Sequence, residues 1–253
     1  MSVRLRSLNF AEEVEYGLRE PPVSRLPQWA KYVAGVVDEL RSYGLDGGFE
    51  GLIWGNVPLG SGLSSSAALE VAVTEGLKNL FRIDLGPKDT ALLCQTVEHN
   101  YVGVHCGIMD QMAVCLGRAG RALFLDCRHV EYEHIPLPLE ETRLVIADSQ
   151  VNRELAESKY NERRAECEEG VTFFQQFDDS IKALRDVSMR LFEARASELS
   201  EPTKRRCRHV ITETRRVKKS VRALQAGALE TFGALMSAAH RSIRDDYEVS
   251  IPE

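Results

Sequence analysis

The stretch that decides the reading is Val57–Leu69, "VPLGSGLSSSAAL", in which two glycines flank Ser61 and three serines precede an alanine pair and an apolar run. Small residues let a backbone approach a ligand closely, and they tolerate the left-handed conformations that a tight loop needs. Just upstream, "GFEGLIWGNVP" predicts a short strand; just downstream, Leu69, Val73, Leu77 and Leu80 predict one face of a helix. A loop leading from a strand into a helix start brings unpaired amides and the positive end of the helix dipole to one point, which suits an anion. The serine hydroxyls add donors for a polyphosphate, and one of them can ligate Mg²⁺. No lysine follows the second glycine, so this is not the GxxxxGK[ST] phosphate loop. A flexible turn capped by a serine is the plainer alternative. The agreement of strand, serine run and helix start favours the phosphate cradle.

Around this loop the chain reads as an ordinary globular protein. Its 253 residues suffice for one large domain or two small ones, with 43% hydrophobic and 28% charged residues and a formal net charge of −6. That balance gives no footprint for nucleic acid or an anionic membrane. The sequence shows neither a run of membrane-spanning length nor a signal-peptide pattern, so a cytoplasmic location is expected. Six scattered cysteines read as reduced thiols; a metal site from His99, His105 and Cys106 is outweighed by ordinary packing. The basic run "KRRCRHVITETRRVKKS" (204–220) spreads its charge around a helix without aromatic residues, which is a solvated face rather than a nucleic-acid surface.

Helical spacing of Trp29, Val33, Val36, Val37 and Leu40 predicts a helix from Gln28 to Tyr43, stopped by Gly44. A second helix fits Lys88 to Tyr101, opened by Pro87. "RALFLDC" and "HVEYEHI" predict neighbouring strands, and "RLVIADS" (143–149) a compact apolar strand. From Arg153 to about Ser242 the chain reads as helix. A domain boundary falls near Pro138–Thr142.

The loop resembles the ATP-binding motif of the GHMP small-molecule kinases. Five further segments narrow the resemblance to galactokinases: "QWAKYVAGVV" (28–37), "VGVHCGIMDQM" (102–112), "ALFLDCR" (122–128), "ESKYNERRAECEEG" (157–170) and "HRSIRDDYEVSIPE" (240–253). The resemblance implies an α+β chain with the GHMP kinase fold. It divides into residues 1–140, an ATP-binding domain of the ribosomal protein S5 domain 2-like type, and residues 141–253, a ferredoxin-like domain. It also implies Mg²⁺- and ATP-dependent phosphorylation of the anomeric hydroxyl of α-D-galactose, with small molecules as partners and a monomeric state when complete. A kinase for N-acetylgalactosamine or arabinose, a non-catalytic sugar and ATP sensor, and an inactive fragment are the alternatives.

Residue by residue, the resemblance assigns Gly60, Ser61, Gly62, Leu63, Ser64, Ser65 and Ser66 to the nucleotide phosphates, with Ser7 near the nucleotide. Ser66 and Glu98 become the Mg²⁺ ligands. Asp110 becomes the catalytic carboxylate at the anomeric hydroxyl, and Tyr160 lies over the sugar. A carboxylate suits phosphoryl transfer, where catalysis is positioning and charge stabilisation. Two family segments have no counterpart here: an arginine- and Glu-His-x-Asp-bearing segment upstream, and a glycine-rich one downstream. The expectation is therefore that both domains are truncated, and that the chain keeps some Mg-ATP binding but loses most turnover.

Overall fold

The computed structural model describes residues 1–19, 21–138, 142–148 and 154–251, with side chains at 154–161 outside the description. Two compact units emerge, Met1–His134 and Ile135–Glu253.

The first unit opens with β1 (Ser2–Ser7), antiparallel to β2 (Glu12–Gly17) and parallel to β3 (Phe49–Ile53), in the order β2-β1-β3. β1 and β2 were not anticipated from the sequence. Their signal is short: Val3, Leu5 and Ser7 alternate inward between Ser2, Arg4 and Arg6 facing solvent. Six residues of alternation suffice here because β1 is the central strand and pairs on both edges. Between β2 and β3 the chain forms α1 (Gln28–Arg41), whose Val33, Val36, Val37 and Leu40 are fully buried. Burying each such side chain is worth about 1.5–3 kcal/mol relative to exposure. Gly44 ends the segment in the left-handed region at φ 99°.

α2 (Ser65–Phe81) and α3 (Pro87–Val97) follow β3 and pack with α1 against the sheet, closing the main core. Gly35 of α1 allows the close approach; a Cβ there would lie 2.6 Å from Val97 Cγ1 and 2.9 Å from Tyr101 Cγ. α3 passes into a single π-helical turn, Glu98–Val102, ended by Gly103 at φ 83°. α4 (Met109–Leu116) then lays Met112 into a smaller core beside Ala91 and Ile108. A hairpin of β4 (Arg121–Asp126) and β5 (Glu131–Pro136) follows, as the sequence predicts.

The elements that follow β5 among the described residues are helical, chiefly α5 (Glu154–Gln175), α6 (Met189–Arg195), α7 (Glu201–Gln225) and α8 (Leu229–Ser242). The core of the second unit joins Phe174, Ile181, Leu184, Phe192, Cys207 and Ile211. Arg206, 2% exposed, binds Glu166 at 2.7 Å, Glu248 at 2.6 Å and the carbonyl of Asp246 at 2.6 Å. Arg163 donates to the carbonyl of Tyr247 at 2.8 Å. These bonds tie the "ESKYNERRAECEEG" helix to the "HRSIRDDYEVS" segment.

One expectation is corrected. Residues 142–148, the described part of the expected "RLVIADS" strand, are not a strand, and Leu144, Val145 and Ile146 are 60, 82 and 62% exposed. An apolar run becomes a strand only when another strand takes its amides and carbonyls. Among the described residues, no strand follows β5 in the second unit. Residues 139–141, at the expected boundary, lie outside the description.

Candidate functional site

β3 ends at Ile53 and α2 begins at Ser65, so the glycine–serine stretch is the connection between strand and helix. It is bent by three left-handed residues: Gly60 at φ 72°, Gly62 at 82° and Ser64 at 58°. Glycine takes this conformation freely, whereas a serine pays a steric cost. A Cβ added at Gly60 would meet nothing within 4 Å, so open space faces the loop there. The first helical bond runs from the Ala68 amide to the Ser64 carbonyl at 3.0 Å, so the amides of Ser65, Ser66 and Ala67 precede the ladder. Ser64 makes no side-chain capping bond, which leaves the amides of Ser65 and Ser66 for an external acceptor; Ala67 is fully buried. Ser61 instead steadies the loop by donating to the Pro58 carbonyl at 2.9 Å.

Ser66 stands in the first turn of α2 close to Glu98, which is buried at the start of the π-helical turn. Burial pushes the Glu98 carboxyl above its ordinary range; Ser66 opposes the shift, and the nearby negative charge of Asp110 adds to it. Asp110 sits half-buried in the first turn of α4. Ser66, Glu98 and Asp110 therefore come together from three helices of one unit. Glu98 and Ser66 form a hard, oxygen-only pair of the kind that Mg²⁺ uses with phosphate and water completing its shell. Among the described residues no cluster of three His, Cys, Asp or Glu side chains is arranged for a metal. The His99 and His105 rings lie 5.3 Å apart at an angle of 57°, and His99 Nε2 lies 2.9 Å from the Cys106 carbonyl oxygen.

Sequence reasoning missed Glu70, one turn beyond Ser66 on the same face of α2. It is fully buried, and neither carboxyl oxygen has a hydrogen-bond partner. Burial, reinforced by the charge of Glu98, pushes its pKa up to about 9. The carboxamide of Gln111 favours the ionised form without satisfying either oxygen. The signal was present in the sequence as a lone acid inside the apolar run Ala67–Val73.

A cavity of about 530 Å³ borders the loop entry. Its wall includes Phe10, Trp29, Trp54, Ser65 and Leu69, an apolar and aromatic lining suited to a flat heterocycle. Trp29 is held in place by its indole N–H donating to Glu12 at 2.7 Å. Ser7 lies in the same wall, buried, with its hydroxyl accepting from the Phe10 amide at 3.4 Å. Ser66, Glu98 and Asp110 are not part of this wall. The side chain of Tyr160 lies outside the described residues.

Residues 31–118, spanning most of α1 through α4 and the whole loop, match the family described as GHMP kinases N terminal domain. The fold is that of the GHMP kinases, and residues 31–118 match the N-terminal domain of that family. Within that class the chain is similar to galactokinases along nearly its full length. It is 47% identical to the galactokinase of Roseiflexus sp. (strain RS-1), over 89% of this chain and 58% of that one. It is 40% identical to the galactokinase of Clostridium beijerinckii, over 98% of this chain and 65% of that one. The structure superimposes on that of Lactococcus lactis galactokinase complexed with galactose, with a TM-score of 0.84 at 35% identity, covering 98% of this chain and 65% of that one. The chain thus spans 58–65% of the length of these relatives.

Proposed function

We propose that this chain carries the nucleotide-binding and catalytic portion of a galactokinase, transferring a phosphoryl group from Mg-ATP to the anomeric hydroxyl of α-D-galactose. The observation that carries the reading is the loop itself. Its left-handed residues at Gly60, Gly62 and Ser64 deliver the free amides of α2 beside a Ser66–Glu98 pair. The similarity to galactokinases, one of them complexed with galactose, supplies the acceptor.

The amides and hydroxyls of residues 60–66 hold the ATP phosphates, where the helix dipole favours negative charge. The base occupies the aromatic-walled cavity, with Ser7 in its wall. Ser66 and Glu98 supply the protein oxygens for Mg²⁺, which when bound neutralises charge on the phosphates. Asp110 orients the sugar hydroxyl and accepts its proton as the oxygen attacks the γ-phosphorus and the bond to the ADP oxygen breaks. The resemblance to galactokinases gives Tyr160 the role of contacting the sugar. The chain divides by function near residue 140, with the nucleotide on the N-terminal side.

The test combines binding and turnover. Calorimetry with Mg-ATP should show binding that EDTA and Glu98→Gln weaken, since EDTA withdraws the metal and the substitution removes one of its carboxylate ligands. Asp110→Asn should keep Mg-ATP binding while removing any galactose-dependent release of ADP. Nucleotide binding indifferent to Mg²⁺ and to Glu98 would refute the metal assignment. Galactose-dependent turnover surviving in Asp110→Asn would remove Asp110 from its role.

A further inference from the structure

The parallel ladder between β1 and β3 ends with the pair Ser7↔Ile53 and the bond from the Leu8 amide to the Ile53 carbonyl at 2.9 Å. Beyond that point backbone no longer meets backbone. The Asn9 side chain takes its place: Nδ2 donates to the Gly55 carbonyl at 2.7 Å, and Oδ1 accepts from the Gly55 amide at 2.9 Å. Both hydrogen-bonding groups of one peptide position are thus held by one carboxamide, in the manner of a neighbouring strand.

Gly55 is the second residue after β3, on the approach to the glycine–serine loop. Asn9, Phe10, Trp54 and Gly55 all line the 530 Å³ cavity, so the clamp joins two of its walls. The β1–β2 turn that presents Asn9 contains Ala11 in the left-handed region at φ 52° and is braced by the bond from the Phe10 amide to Ser7. Asn9 and Gly55 are both exposed.

We propose that Asn9 is a positioning residue for the nucleotide: by clamping Gly55 it fixes the path of residues 54–59, and with it the cavity wall and the start of the phosphate loop. This rests on the nucleotide reading above. Without the clamp the segment samples other paths, and apparent nucleotide affinity falls by the fraction of molecules with the wall in place. The fold itself should persist, because the regular pairings of β1 with β2 and β3 remain.

The test uses Asn9→Ala, which removes both bonds, and Asn9→Leu, which removes them while keeping side-chain bulk. Mg-ATP affinity by calorimetry should fall about tenfold in both variants, the loss expected for one to two net hydrogen bonds. The thermal midpoint of the ligand-free protein should fall by about 3–6 °C, the same free energy read as stability, with the unfolding transition still cooperative. Amide hydrogen exchange of the peptide spanning residues 54–59, measured without nucleotide, should accelerate in both. Wild-type affinity in Asn9→Leu would show that bulk rather than bonding matters and would overturn the proposal, as would unchanged exchange at Gly55. Wild-type protein that fails to bind nucleotide would bring down the nucleotide reading and this role with it, while accelerated exchange would still report the clamp itself.

Discussion

Replacing Glu70 with glutamine should stabilise the first unit, and by an amount that grows with pH. Glutamine keeps the shape of the side chain but never ionises. In the wild type, burial first, and then the charge of Glu98, hold the Glu70 carboxyl protonated to about pH 9, against an ordinary value of 4.5. The folded state therefore binds the proton more tightly than the unfolded chain. The stabilising effect of that proton is complete below about pH 4.5 and is lost progressively as pH rises toward 9. Linkage over the interval gives a loss of about 1 kcal/mol at pH 5.5 and about 4 kcal/mol at pH 7.5, against total stabilities of about 5–15 kcal/mol for a domain. Both tryptophans, Trp29 and Trp54, lie in this unit, so their fluorescence reports its unfolding in urea. The difference between Glu70→Gln and wild type should widen by about 3 kcal/mol from pH 5.5 to 7.5. A difference independent of pH would show that Glu70 ionises normally within the fold, and the reasoning from its burial would fail.

Three other substitutions test separate parts of the account. Gly35→Ala would gain helix propensity, yet its Cβ would press on Val97 and Tyr101; a net loss of about 1–2 kcal/mol in urea unfolding is expected. Ser64→Gly should relieve the left-handed backbone and raise stability by about 1 kcal/mol, read from the urea midpoint; a loss would mean that the Ser64 side chain contributes more than its backbone costs. Arg206→Ala should destabilise the second unit by about 2–3 kcal/mol, through the lost bonds of a buried guanidinium to Glu166, Glu248 and the Asp246 carbonyl, while Arg163 and Arg205 still neutralise the two carboxylates; circular dichroism of the helices during heating is the readout.

How far these features can be read from sequence depends on whether one element or two must be known. α1 and α2 declare themselves, since Val33, Val36, Val37 and Leu40, like Leu69, Val73 and Leu77, repeat at helical spacing within a single segment. The loop is equally local, because its glycines and serines sit between a strand signal and a helix signal. The segment 142–148 went the other way: its apolar residues satisfy every local criterion for a strand, but a strand also requires a partner whose presence no local pattern reveals. β1 and β2 were missed for the converse reason, their weak alternation being enforced by pairing on both sides of β1.

The site obeys the same rule, and the seam between α2 and α3 shows why. Ser66 meets Glu98, Thr74 lies 3.6 Å from the Cys94 sulfur, and Lys78 donates to Thr90 at 3.2 Å. On α2 these polar residues step by four from 66 through 70 and 74 to 78; on the facing helix they descend by four from 98 through 94 to 90. Residues four apart share a helix face, so each series is visible in sequence. Their pairing is not visible, because it depends on two antiparallel helices meeting in one register. Glu70 is the member of the series whose carboxyl finds no satisfying partner across the seam. A polar group in that position is costly when charged. The seam thus yields both the Ser66–Glu98 oxygen pair and the buried acid one turn behind it, and a change at either is expected to be felt through the shared face of α2.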